Sequence, residues 1–436
     1  MLTKVFQLTK YPALDSATLR SNLRAHIMDG ALFGFAMSFV SVTTIMPVFI
    51  QQIGGSAVAI GSVPVLWTVG LNLPQAVFVR FTQAGKLVRP SVLRFGFLHR
   101  VSFLIVGLFA FFVIGRLPST LSVPILMILL FSVAVTGSLG VPPWFHLFTK
   151  TTPVRLRGRL LALRQLLSSF LGILGGLAVT IILSALPLPA NFALLFVVAF
   201  ILSMVSYFYL RVLKEPISES VGKRIEDSVG IFHQARLILG RDKNFRNFLI
   251  VDASTLMSMT ASAFYSVHAI QEFNLPPSYA GTFTVIVMAS MAAGNILFGY
   301  IADSFGHKMN LMLLAGASVA ASVVALFAGN ILVYGFAFFF MAMTIGLQGI
   351  SRLSFVAEMC TEVDRPTYIA LTNTLTAPTV AVGILLGWIA RTYGFQPVFA
   401  AGMLFGLFAL VKLHFGVRDP RVHATSTVID SRDDRR

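Results

Sequence analysis

Runs of about twenty apolar residues recur along this chain, and they decide what it can fold into. A helix rising 1.5 Å per residue crosses about 30 Å of hydrocarbon in about 20 residues. Inside lipid it satisfies its backbone hydrogen bonds within itself. Twelve such runs, numbered here as spans 1 to 12, lie at 27–51, 57–79, 94–115, 120–145, 160–184, 190–211, 247–271, 277–301, 309–329, 331–355, 366–390 and 395–416. Of the 436 residues, 56% are hydrophobic and only 11% charged, against about 25% charged in soluble domains. A soluble globule has too little interior for that much apolar surface. The chain is therefore expected to be an all-α membrane protein.

The basic residues orient it. With the N-terminus in the cytosol, 31 of the 33 Lys and Arg fall in cytoplasmic segments, and only Arg116 and Arg391 lie outside. Basic residues mark cytoplasmic loops, so the net charge of +16 reads as topology and not as nucleic-acid binding. The expected location is the inner (plasma) membrane, with multiple passes and both termini cytoplasmic. Lys4, Lys10, Arg20 and Arg24 are scattered among polar residues, which does not resemble a cleavable signal peptide. Asp15 and Ser16 could cap a short helix through Arg24 lying on the membrane surface, or the segment could equally be a disordered start. The lone cysteine, Cys360, allows no intrachain disulfide.

The longest polar stretch divides the chain in two. We expect an N-terminal six-helix bundle at 1–212, a cytoplasmic loop at 213–245 with a surface helix over Ile231–Leu239, a second bundle at 246–417 and a cytoplasmic tail at 418–436. Arg157-Gly-Arg-Leu-Leu-Ala162-Leu163-Arg-Gln165 aligns with Arg365-Pro-Thr-Tyr-Ile-Ala370-Leu371-Thr-Asn373 at an offset of 208, and Gly175 then falls on Gly383. Span 5 thus reads as the equivalent of span 11.

Between spans 8 and 9 runs Gly299-Tyr-Ile-Ala-Asp303-Ser-Phe-Gly306-His-Lys308. Gly299 would let span 8 pack closely on a neighbour, Gly306 allows a tight reversal, and Lys308 faces anionic headgroups. Asp303 sits at the membrane edge, where an unpaired carboxylate is costly. This Gly-x-x-x-Asp-x-x-Gly-x-Lys pattern resembles the cytoplasmic loop signature of the major facilitator superfamily of secondary transporters. The resemblance implies twelve transmembrane helices in two pseudo-symmetric six-helix bundles that work by alternating access around a midplane site. It also implies that the loop braces the two bundles, with Asp303 facing the start of span 5 near Arg157, Gly158 and Arg159. The first-half counterpart, Arg80-Phe81-Thr-Gln83-Ala-Gly85-Lys86, carries Gln83 where the family has its acid. Pro153-x-Arg155-x-Arg157-Gly158-Arg159 resembles the family's entry to span 5. Gly172-Ile-Leu-Gly175-Gly176 resembles its antiporter motif, with Gly172 in place of the proline.

Span 7 is the most polar. On a helical wheel Asp252, Thr255, Ser258, Ser262, Tyr265, Ser266, His268 and Glu272 cover about half the circumference, a face expected to line water or another polar helix. Asp252 lies about 8 Å into the span. His268 and Glu272, one turn apart, could share a proton. Asp29 reads as opening span 1. Trp67 stands in span 2 before Pro74. Thr344, Gln348 and Arg352 form one stripe on span 10, with Glu358 or Glu362 placed to hold Arg352 as a gate. Span 11 offers Asn373 and several threonines, with a kink at Pro378. Span 4 ends at Pro142-Pro143-Trp144. Arg100 and Arg164 lie near the cytoplasmic face, where snorkelling is expected.

No Gly-x-x-x-x-Gly-Lys-Ser/Thr loop, His-Glu-x-x-His pair or Gly-x-Ser-x-Gly elbow occurs, so an ATP-driven pump, a zinc enzyme and a serine hydrolase are not expected. Neither a cofactor nor a metal is called for. The expected function is proton-coupled efflux of a neutral or amphipathic small molecule by a monomer, through Asp252 or His268–Glu272. The alternatives are an uptake symporter for a sugar or metabolite, and a non-transporting sensor or scaffold docking partners on the basic loop.

Overall fold

The computed structural model describes residues 16–82, 87–217, 231–361 and 364–421. No strand forms among them, and ten of their helices are long and apolar enough to cross a membrane. They correspond to spans 3 to 12. Spans 1 and 2 are represented by Ser16–Ser38 with Met46–Gln52, and by Ala57–Thr82. The helix in the central loop forms as Ile231–Arg241.

By its contacts the chain divides into two compact units, Met1–Glu226 with Ser266–Ala292, and Asp227–Tyr265 with Ala293–Arg436. In the first unit span 1 packs on spans 5 and 6, span 3 on spans 4 and 6, and span 2 on span 4. The pairings 3–4, 3–6 and 1–6 recur in the second unit as 9–10, 9–12 and 7–12, the repeat expected of two pseudo-symmetric bundles. Lipid tails are as apolar as leucine, so close packing and buried hydrogen bonds hold such helices together. In the second unit Ser258 Oγ donates to the Gly402 carbonyl at 2.7 Å. A Cβ on Gly402 would come within 2.8 Å of Ala261, so only glycine lets span 12 lie this close to span 7.

Several helices depart from the sequence expectation. Residues 16–24 do not form a separate surface helix; they continue without interruption into span 1. Span 1 then loses its helix at 39–45, where the Ser41 hydroxyl accepts from the Thr44 N–H at 3.3 Å and Pro47 opens the next helix. Such side-chain bonds offer the backbone an alternative to the helix ladder. Span 4 runs on through Pro142 and Pro143 to Thr151. Span 7 passes through a 3₁₀ turn at Ala261–Phe264, and span 11 through one at Ala377–Ala381 that contains Pro378. Span 7 starts at a true cap: Asp242 accepts from the Phe245 N–H at 2.8 Å.

Past span 6 the chain is strapped to its bundle. Asn22 accepts from the Lys214 N–H at 2.9 Å and donates to the Lys214 carbonyl at 3.0 Å. Glu215 accepts from the N–H groups of Val88 and Arg89, 2.8–3.0 Å away, at the start of span 3 (Arg89–Phe112), and from Lys150 Nζ at 2.7 Å. Val88 provides no side-chain cap, so Glu215 caps span 3 from a distance. Burial alone would raise its pKa. The hydrogen bonds from Lys150, Val88 and Arg89, with the lysine charge, hold it below the usual range.

Candidate functional site

Among the described residues Asp29 in the first unit and Asp252 in the second are buried, and each carboxylate is held by arginine. In the second unit Asp252 on span 7 meets Arg352 on span 10. Nε and Nη2 donate to its two oxygens at 2.7 Å each. The same guanidinium donates to Asn373 Oδ1 at 2.9 Å and to Thr376 Oγ1 at 3.0 Å on span 11. Only 6% of the Asp252 side chain and 15% of Arg352 are exposed. Bidentate pairing of this kind is the strong form of the bond, and three helices converge on it. A cavity of about 10 Å³ lined by Asp252, Gln348 and Arg352 adjoins the pair, close to the smallest space that holds one water. Thus Asp252, Gln348, Arg352 and Asn373 come together as one centre. Glu358 does not hold Arg352. It accepts from Arg421 Nη2 at 2.8 Å and lies 3.8 Å from His307 Nε2, because Arg352 points into the bundle and Glu358 lies at its end. Glu362 falls outside the described residues.

In the first unit Asp29 is no entry residue. The helix starts at Ser16, so Asp29 lies well inside it and is 3% exposed. Arg164 Nη2 of span 5 donates to Oδ2 at 3.1 Å, Ser206 of span 6 donates to Oδ1 at 2.8 Å, and Arg100 Nη2 of span 3 stands 3.9 Å from Oδ1. Arg100 and Arg164 therefore do not snorkel. Arg100 donates to the carbonyls of Ser203 and Gly96. Arg164 donates to the His26 carbonyl and lies 4.9 Å over the Trp144 ring. A nearby carboxylate and buried carbonyls satisfy these donors better than distant headgroups would. Two arginines thus face one carboxylate in a water-poor interior. Sequence reasoning missed this cluster; Ser203 and Ser206, on one face of span 6, were its available signal.

The other candidates are more dispersed. Tyr265 is 2% exposed, and its hydroxyl shares a 3.2 Å hydrogen bond with Ser322 of span 9. Ser266 Oγ donates to the Thr43 carbonyl at 3.2 Å. Much of span 7's polar face is thus satisfied by neighbouring helices. His268 Nε2 lies 3.9 Å from Glu272, whose side chain is 62% exposed. Trp67 is half-buried within Ala57–Thr82.

In the 299–308 loop, Gly306 has φ +86° and opens span 9, the reversal its sequence predicts. Gly299 does not serve close packing: a Cβ there would meet nothing within 4 Å, because this face of span 8 is open. Asp303 is exposed at the end of span 8, with Lys308 half-buried beyond it. Arg157 donates to the carbonyls of Thr152 and Thr149 at 3.1 and 2.8 Å, while Gly158 and Arg159 are exposed. Gln83 and Lys86 of the first-half counterpart lie outside the described residues.

The family model for the Major Facilitator Superfamily matches residues 248–432. A nucleoside transporter, NupG, superposes with a TM-score of 0.71 at 11% identity, over 91% of this chain and 100% of its own. A D-xylose–proton symporter gives 0.70 at 14%, over 92% and 99%. The E. coli fucose:proton symporter gives 0.60 at 15%, over 92% and 100%. The family model covers less than half of the chain, and these solved transporters share the chain's fold. Among curated proteins, the cis,cis-muconate transport protein of Acinetobacter baylyi (strain ATCC 33305 / BD413 / ADP1) is 27% identical over 187 residues. That match covers 42% of this chain and 44% of the relative, so it spans less than half the length of either.

Proposed function

We propose that the chain is a proton-coupled secondary transporter that moves a small organic anion into the cell. Its two bundles, 1–212 and 246–417, would rock about a midplane site. The Asp252–Arg352 pair carries this reading. Protonating Asp252 would cancel the charge that holds Arg352, and the released guanidinium could bind a solute carboxylate in its place. Two states of one bundle would follow from one proton. The pair is better suited to this task than His268–Glu272, whose carboxylate stands in the open. The surplus arginine charge around Asp29 favours an anionic solute, and the relative named as a muconate transport protein fits a carboxylate. Asp303 would brace the bundles through the start of span 5 when the outer side is open.

Export of a neutral or amphipathic compound by antiport is the second reading. The glycine-rich stretch of span 5 favours it. A Cβ on Gly176 would stand 2.9 Å from the Gly281 carbonyl, so the two helices touch backbone to backbone.

Purified protein in proteoliposomes with an imposed pH gradient, offered muconate, other carboxylates and neutral sugars, tests both. Gradient-driven accumulation of a carboxylate by the wild type, lost in Asp252→Asn, is expected. Accumulation that stays gradient-driven in Asp252→Asn would remove the coupling role, and outward movement of neutral compounds alone would favour the second reading.

A further inference from the structure

The strap after span 6 encloses a hollow of about 550 Å³, built wholly within the first unit. The start of span 1, the end of span 4, the start of span 5 and Lys214–Pro216 form its walls. It opens at the end that carries the basic loops, which the charge rule places in the cytosol.

Its chemistry is that of an anion site. Lys150, Arg157 and Lys214 line it against the single acid Glu215. Arg157 spends Nε and Nη2 on the carbonyls of Thr152 and Thr149, which fixes the guanidinium plane. Its Nη1 donates to no described residue. Thr152, 2% exposed, lines the hollow with a hydroxyl that has no hydrogen-bond partner among the described residues. A buried hydroxyl left so costs free energy unless something fills the space beside it. Span 5 begins here at Pro153, whose ring provides no side-chain cap, and the positive end of a helix favours anions. Val154, which also lines the hollow, is 73% exposed, an apolar contact beside the charged wall.

We propose that this hollow binds a phosphate group, carried by a phospholipid headgroup or by a soluble phosphate compound. Arg157 and Lys214 supply the charge, Thr152 and the first turn of span 5 supply neutral donors, and Lys150 stays with Glu215. A bound phosphate would tie spans 1, 4 and 5 to the strap. The site requires neither a particular solute nor a particular direction of transport.

Thermal unfolding of the full chain tests it in two arms. In detergent, inorganic phosphate is titrated against sodium chloride at equal ionic strength. In nanodiscs, phosphatidic acid is titrated against phosphatidylcholine. Stabilisation by phosphate over chloride identifies a soluble ligand, and stabilisation by phosphatidic acid alone identifies a lipid. In either case the midpoint concentration should rise about tenfold in Arg157→Gln and again in Arg157→Gln/Lys214→Gln, since each removes a charge-assisted bond. Arg241→Gln, an exposed charge on the other unit, should bind as wild type. If Arg157→Gln unfolds without ligand, Thr152→Val serves, with the same weakening expected in direction. No stabilisation in either arm, or equal stabilisation of wild type and lining variants, would overturn the proposal.

Discussion

Arg352 brings five N–H donors into the second unit, and Asp252, Asn373 and Thr376 take up four of its hydrogen bonds. Removing one partner of a buried pair costs more than removing both, because a charge is left without compensation. Asp252→Ala should therefore cost about 3–5 kcal/mol, and Asp252→Ala/Arg352→Met should recover most of it in thermal unfolding while remaining uncoupled in the gradient assay. A double variant no more stable than the single would show that the pair contributes nothing special. At this scale the sequence was only half legible. Polarity on span 7 drew attention to Asp252, and the stripe on span 10 to Arg352, Gln348 and Thr344. It did not join them. For Arg100 and Arg164 it revealed depth along the helix but not direction around it. Turning outward toward headgroups and turning inward toward an acid look the same in one dimension. The acid is 135 residues from Arg164, and no local pattern reaches so far.

Among elements, the start of span 3 depends on a residue from another part of the chain. Glu215→Ala removes the acceptor for the Val88 and Arg89 N–H groups, and a lost cap costs about 0.5–2 kcal/mol. The strap should then be cut faster by protease near 213–217. The pH dependence has a definite sign. The folded carboxyl has a pKa below its ordinary 4.5, so its stabilisation is complete above that value and lost as pH falls through the lowered one. The stability gap between wild type and Glu215→Ala should be flat from about pH 6 to 8 and close on acidification below about pH 4. A gap that widened in acid would assign the effect to something else. Helix breaks were legible where a residue forces them, as at Pro378. The turn at Ala261–Phe264 contains neither glycine nor proline, so nothing in the local sequence announced it.

At the scale of the molecule, the recurrence of helix pairings reflects two similar halves, and the basic-residue pattern predicts which loops face the cytosol. Orientation is the part that a membrane-impermeant reagent checks. In a Cys360→Ala background, Ser56→Cys should react from outside in intact cells. Arg241→Cys should react only after permeabilisation. Labelling of both from one side would undo the alternation of spans. The positions of the long helices were the most legible level, since apolar length is written residue by residue. The division into contact units was not, because it depends on which helices lean together.

That division falls between Tyr265 and Ser266, directly after the 3₁₀ turn of span 7. Tyr265 is tied to Ser322 and Tyr334 of its own unit, and Ser266 to Thr43 of the other. The residues on either side of that boundary thus bond within different units. If the two units move as proposed, reporters at Ile250 and Gln271 would act as a strain gauge built into the backbone, registering that motion as flexure of the helix between them.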